Sequence, residues 1–382
     1  MKFFHLSDLH IGLKLINKDL REDQEYILAQ IVENAVKEKP DAIVIAGDIY
    51  DKAVPSAEAV EIFDHFLTEM TSALPDSIIM MISGNHDSAP RINCFRSILS
   101  RQNLYMIGTP PQEKNDHIEK VTLQDMNGHI NFYLLPFVKP SMVKDLVGVD
   151  DNGNNLSYNE TLQKLIDRED IDPSQRNVLV SHQFYLPRGT RPEQIDRMDS
   201  EIQTVGNIDE VSASCLEKFD YAALGHIHKP MKAGNEFIRY CGTPLACSVS
   251  EAEQQKSILM VDMKEKGNIQ VTRLPLDPLR QVRIIKGTLA EVLKQSCNDY
   301  VTIVLTDKID LDVIDMQDRI RNEFPNLLDI RREAVQKPNY NIKIISEGKL
   351  NPFELCCEFL KDLDDAEKEI MKDIIHSVQE VS

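Results

Sequence analysis

Several features that would assign a chain of this size to a class are absent from this one. No apolar run approaches the roughly 20 residues needed to cross a bilayer. The opening, MKFFHLSDLHIG, reaches charged residues within eight positions, so no long apolar leader is expected. The seven cysteines are scattered, form no C-x-x-C pair and are odd in number. That disfavours both a thiolate-rich metal module and a disulfide framework, and makes a reducing cytoplasm the expected home. There is no internal repeat and no low-complexity tract. Positive charge is also short: 43 Lys and Arg stand against 62 Asp and Glu, a formal net charge of −19. That argues against a broad basic coat for nucleic acid. It does not exclude a local phosphate site, because bound divalent cations would be the largest local charges there.

What is present is ample for a globular enzyme. A length of 382 residues favours two or three domains, and 42% apolar residues supply a full core. Short unbroken apolar runs punctuate the first two thirds. Lys2 to Ser7, Ala42 to Ala46, Ile78 to Ile82, Asn177 to Val180 and Phe219 to Leu224 read as strands buried on both faces. Helical patterns run from about Leu20 to Lys39 and from Ser56 to about Met70, with Ser56 as a cap. Strand, helix, strand, helix, strand implies a parallel sheet with right-handed crossovers. Residues 115–147 read as paired short strands, DDNGNNL as a surface loop, and Tyr158 to Arg168 as a helix. After Pro278 the pattern becomes that of a small separate α/β unit. From Asn351 onward it is helical and acidic, with an apolar stripe of Phe353, Leu355, Phe359, Leu360 and Leu363.

The strands share one habit: each ends in polar residues of metal-binding type. Asp8 and His10 follow the first, Asp48 the second and Asn85-His86-Asp87 the third. His182 follows the fourth, and His226 and His228 the fifth. In extended backbone, positions i and i+2 face one side, so Asp8 and His10 pair, as do His226 and His228. In open α/β sheets, ligands sit outside the carboxyl ends of the strands. A lone histidine is more often a hydrogen-bonded core or surface residue. Seven ligand-type residues beside buried strands converging on one sheet edge outweigh that reading. Imidazole, carboxylate and amide oxygen suit Mn²⁺, Fe²⁺ or Zn²⁺. Seven ligands are too many for one ion and fit two sharing a bridge. Two ions carry +4 and the carboxylates of Asp8 and Asp48 return −2, which suits a phosphate and an attacking hydroxide. Two ions roughly 3.5–4 Å apart serve in-line displacement at phosphorus.

D-x-H, GD-x-x-D, GNHD, a later His and GH-x-H together resemble the calcineurin-like metallophosphoesterase superfamily. The longer phrases DLHIG, GDIYD, SGNHDS, FDYAALGHIHKP and YCGTPLACSVSE narrow the likeness to the nuclease subunits of DNA end-processing complexes, over residues 1 to about 275. The resemblance implies an α/β fold of packed β-sheets flanked by helices, as a nuclease domain over 1–277. It also implies an α/β capping domain over 278–346, and a helical tail over 347–382 that binds an ATPase partner. It implies two Mn²⁺ ions, one held by Asp8, His10, Asp48 and His228 and the other by Asp48, Asn85, His182 and His226. His86 would act on the substrate, paired with the carboxylate of Asp51. DNA would be the substrate, cut from duplex ends and within single strands, by a homodimer inside a heterotetramer with no membrane attachment. Cys241 stands where that family usually has serine, and Asn351-Pro352-Phe353 departs from its usual start of the tail.

Two other classes compete. A small-molecule or cyclic-nucleotide phosphodiesterase on the same scaffold is favoured by the acidic charge, since fold does not fix substrate. The extra domain and tail favour the nuclease. A non-catalytic adaptor with a structural metal site would have no use for His86. Candidate phosphate contacts are Arg91, Arg96, Lys139, Arg188, Lys229, Lys232, Arg280 and Arg283.

Overall fold

The computed structural model describes residues 1–190, 195, 198–201, 209–307 and 313–333, with 364, 367, 368 and 371. The chain divides into two compact units, Met1–Glu333 and Ala334–Ser382. The expected tail over 347–382 lies outside the described residues, apart from those last four positions.

The first unit is built on two six-stranded sheets. One runs, edge to edge, Ile269–Pro275, Ser257–Met263, Lys2–Leu6, Ala42–Ala46, Ile78–Ile82 and Leu104–Ile107. Its last four strands are parallel. The other runs Met231–Lys232, Ile238–Tyr240, Tyr221–Gly225, Arg176–His182, Gly128–Leu135 and Glu119–Asp125. Here Ile238–Tyr240, Tyr221–Gly225, Arg176–His182 and Gly128–Leu135 are parallel.

The apolar runs have two faces because the sheets are covered on both sides. Inward residues of both sheets, including Phe3, Val44, Met80, Phe132, Val180 and Ala223, form one cluster between them. Phe3 meets Phe132 and Tyr221 edge-on at 5.3 and 5.7 Å. The outer face of the first sheet packs on the helices Arg21–Glu38 and Ala57–Ala73. The outer face of the second packs on Pro140–Val147 and Tyr158–Asp167. Ser56 caps Ala57–Ala73, as its sequence position suggests, by accepting from the Ala59 amide. This is the expected arrangement of packed sheets flanked by helices. The five buried strands thus belong to two sheets and not to one edge: three end in the first sheet and two in the second. Apolar runs alone report burial, not which neighbour buries them.

After Pro278 a parallel three-stranded sheet of Val282–Gly287, Tyr300–Leu305 and Leu327–Arg332 packs on Leu289–Val292 and Val313–Glu323 around its own apolar cluster. Val282 and Tyr300 also join the outer core of the first sheet. Arg280 is bound there by Asp23 at 2.7 Å and by Glu22.

Candidate metal centre

The carboxyl ends of the parallel strands from both sheets meet at one rim, and all seven sequence-selected ligand candidates stand on it. Tight backbone makes the meeting possible. Among the described residues, nine non-glycine positions have positive φ, and four are Asp8, His10, Asp48 and His226. Such conformations cost energy and persist only where the surroundings impose them. Two glycines permit the approach of the loops. A Cβ on Gly84 would lie 2.1 Å from an Asp48 carboxylate oxygen, and one on Gly225 would lie 2.0 Å from the Ala46 carbonyl.

The donors fall into two overlapping sets. Asp48 Oδ2 lies 3.3 Å from His182 Nε2 and 3.8 Å from His10 Nε2. Asn85 Oδ1 is 2.9 Å from both His182 Nε2 and His226 Nδ1. On the other side, His10 Nε2 and His228 Nε2 face each other at 3.1 Å, and His228 Nε2 is 4.0 Å from Asp8. Ligand atoms of Asp8, Asp48 and His182 lie mutually within 4.8 Å, as do those of His10, Asp48 and His86. Asp48 is common to both. The structure thus brings together every residue of the expected ligand set, with Asp48 between the halves.

Three features of this arrangement fit divalent cations. Two bare nitrogen lone pairs cannot face each other at 3.1 Å, so a proton or a cation belongs between His10 and His228. His10 Nδ1 is buried without a hydrogen-bond partner. The mixture of imidazole, carboxylate and amide oxygen is a borderline-to-hard donor set. The far sides of the rings are already fixed. His182 Nδ1 donates to the Ala46 carbonyl at 2.7 Å, and His228 Nδ1 lies 2.8 Å from the Ser200 hydroxyl and 3.4 Å from Glu251. Each contact leaves Nε2 turned toward the centre.

Protonation follows the same geometry. Burial opposes charge on Asp48, but His182, His10 and His86 together hold its carboxyl well below the usual range. Burial also opposes charge on His182, yet Asp48, Asp8 and the Ala46 carbonyl raise it to about 9. His10 is lowered to about 3, chiefly by burial. His228 is raised, because Glu251 and Asp8 outweigh its burial. A proton on either ring satisfies the 3.1 Å contact in the absence of a cation. A cation displaces protons from the ring nitrogens that ligate it, so affinity falls as pH falls.

One expectation is corrected. The His86 ring does not hydrogen-bond the Asp51 carboxylate: its Nδ1 donates to the Asp51 backbone carbonyl at 2.9 Å. The carboxylate turns the other way, with Oδ1 3.9 Å from His10 Nδ1. The cause lies in the loop, because Asp51 donates its own amide to the Ile11 carbonyl and is thereby drawn against the first loop. His86 Nε2 is left 4.0 Å from Asp48 Oδ2, facing the centre. Several basic residues are also engaged elsewhere. Arg96 pairs with Glu119, Lys232 with Glu236, Arg280 with Asp23 and Glu22, and Arg283 with Asp299.

Sequence reasoning passed over the supports of the site. Asp87 accepts from the amides of Ile49, Tyr50 and Gly84, locking the second loop to the third. Burial and Asp48 push its carboxyl up to about 6. Glu251 is buried and receives Lys256 at 2.6 Å, Ser200 at 2.8 Å and Thr243 at 3.0 Å, while Glu201 accepts from the His228 amide at 2.9 Å. Asp87 sits within GNHD and Glu251 closes YCGTPLACSVSE, so both lay in phrases already singled out.

A family model described as calcineurin-like phosphoesterase matches residues 1–230. The chain belongs to the calcineurin-like phosphoesterase family. A curated relative, the SbcD subunit of the nuclease SbcCD from Staphylococcus epidermidis (strain ATCC 12228 / FDA PCI 1200), is 32% identical over 335 residues, spanning 86% of this chain and 84% of the relative. Among solved structures, a dimetal phosphatase from Danio rerio is 12% identical, covering 74% of this chain and 99% of its own, with a TM-score of 0.40. GAP50, the anchor in the inner membrane complex of Plasmodium, is 9% identical, covering 88% of this chain and 98% of its own, with a TM-score of 0.42. Membership in the phosphoesterase family makes this chain a hydrolase of phosphoesters that works with divalent metal. No helix among the described residues is long and apolar enough to cross a membrane.

Proposed function

We propose that the chain is an Mn²⁺-dependent DNA nuclease that removes nucleotides from duplex ends and cuts within single strands. The observation that carries this reading is the two-sided donor set sharing Asp48, with His86 presenting Nε2 beside it, in a chain 32% identical to an SbcD nuclease subunit. Asp8, His10, Asp48 and His228 would hold one ion, and Asp48, Asn85, His182 and His226 the second. When bound, such ions neutralise phosphate charge and lower the pKa of the attacking water. The remaining work falls to the protein. Asp48 holds the two halves in register, and the fixed far sides of His182 and His228 keep both rings aimed. His86, tethered through Nδ1 to the Asp51 carbonyl, is placed to give a proton from Nε2 to the departing sugar oxygen.

Beyond the centre, residues 278–346 would act as a capping domain that positions DNA, and 347–382 would bind an SbcC-type ATPase. The chain would work as a homodimer within a heterotetramer. Purified protein with Mn²⁺ should degrade end-labelled duplex and nick single-stranded circles, and added salt should suppress both. Hydrolysis of a small aryl phosphodiester alone, indifferent to salt, would replace this reading with a small-molecule phosphodiesterase.

A further inference from the structure

The centre carries one residue that a hard-cation phosphoesterase does not need. Cys247 is buried, and its sulfur lies within 4.8 Å of ligand nitrogens of both His10 and His228, which are themselves within that distance of each other. Most buried cysteines are small hydrophobes. Cys215 fits that description, with its thiol turned to the Ser212 carbonyl inside an apolar cluster. Cys247 differs, because among the described residues it is the one cysteine grouped with metal-ligating side chains.

Its position is also built. The buried Glu251 carboxylate takes the Cys247 amide at 3.2 Å and faces His228 Nδ1 at 3.4 Å, so one support sets both the cysteine backbone and the imidazole. The thiol itself makes only a weak contact, 3.6 Å to the Leu245 carbonyl, and is readily turned. Tetrahedral Zn²⁺ with bonds of about 2.0–2.3 Å needs its donors roughly 3.3–3.8 Å apart, between the 3.1 Å of the His10–His228 contact and the 4.8 Å that bounds the triad.

We propose that His10, His228 and Cys247 form a second coordination mode of this centre, one that captures a thiophilic divalent cation, Zn²⁺ above all, in competition with the hard cation used for hydrolysis. Thiolate selects soft or borderline metals, whereas Mn²⁺ gains little from it. Two imidazoles and one thiolate leave the fourth tetrahedral position to solvent. On binding, the S–H bond is replaced by a sulfur–metal bond, the proton passes to solvent, and no electrons are exchanged. Because His10 and His228 are also ligand candidates for the catalytic cation, Zn²⁺ held this way withdraws them from it and restrains the enzyme. The proposal rests on the metal-centre reading but not on DNA being the substrate.

Metal-stripped full-length protein is titrated with Co²⁺ and followed by absorption. A ligating thiolate gives an intense near-ultraviolet charge-transfer band, and Cys247→Ser should bind Co²⁺ without that band. In competition measured by metal analysis, the preference for Zn²⁺ over Mn²⁺ should drop about 10–100-fold in the variant, the size of change expected when a metal site loses a supporting group. Should Cys247→Ser not fold, X-ray absorption at the zinc edge of the wild-type protein decides: two imidazoles with one sulfur supports the mode. A wild-type protein without the band, a band that survives in Cys247→Ser, or a sulfur-free zinc shell overturns it. None of these readings requires turnover, so a failed nuclease assay leaves them intact.

Discussion

The interior of the sandwich and its rim are made by the same strands, and they treat a buried histidine in opposite ways. His5, between the sheets, has both nitrogens matched: Nε2 donates to the Leu224 carbonyl at 3.1 Å and Nδ1 accepts from the Tyr221 hydroxyl at 3.0 Å. At the far end of the strands, the buried Arg176 donates to Asp125 and to the carbonyls of Gly128, His129, Met263 and Lys264. His10, five residues further along and 2% exposed, has an unpartnered Nδ1, an Nε2 facing another imidazole, and a φ of 44°. Burial alone therefore does not separate a structural histidine from a functional one. Satisfaction of its nitrogens does. The interior leaves nothing for a ligand to complete, and the rigidity it gains lets the rim keep strained, incompletely matched groups.

The comparison is broken most severely at Asp48, the one carboxylate shared by both halves of the rim. Asp48→Ala should lose both cations together, and hydrolysis should fall to background. Metal analysis showing one ion retained at full occupancy would contradict a shared carboxylate. The next largest effect belongs to His86. His86→Ala should keep both cations and substrate binding but slow cleavage about 10²–10⁴-fold, the usual contribution of a positioned acid. Single-turnover rates at the wild-type level would remove the acid from the mechanism.

At the interior end, pH sharpens the contrast. Burial lowers His5 from its ordinary 6.5 to about 3. A depressed imidazole contributes stability that is complete above the unfolded value and is lost as pH falls through the folded one. The wild-type protein in chelator should therefore lose stability relative to His5→Gln between pH 6.5 and about 3, by on the order of a few kcal/mol. Urea midpoints across that range measure the difference, and a constant gap would mean that His5 does not titrate there.

The strands and the rim residues were legible because both are local signals. An unbroken β-branched run reports a buried strand, and polar residues at its carboxyl end report a site. What stayed hidden depends on pairs distant in the chain. Nothing in the runs says that 176–182 and 221–225 leave the sheet of 42–46. Arg280 reads as a candidate phosphate contact until Asp23, 257 residues away, is placed against it. Glu251 and Lys256 carry no local signal, although both are buried and Lys256 pairs with the Glu251 that faces His228. Asp51 misled in a finer way, since the family resemblance implies a role for its carboxylate while the fold holds His86 by its backbone carbonyl.

That distinction gives the smallest expected effect. If the His86 ring is held by the Asp51 carbonyl, the acceptor survives any side-chain change at that position. Asp51→Asn keeps the carbonyl and the side-chain size, and removes a charge that lies 3.9 Å from His10 Nδ1 and is exposed enough to be partly screened. Burial raises this carboxyl above its ordinary range. The variant should hold both cations and cleave at more than about a tenth of the wild-type rate, well above the range expected for His86→Ala. Rates and metal content measured side by side for the two variants decide the matter. Were Asp51→Asn as slow as His86→Ala with its cations in place, the carboxylate must swing onto the ring during turnover, and the backbone tether would describe only the resting enzyme.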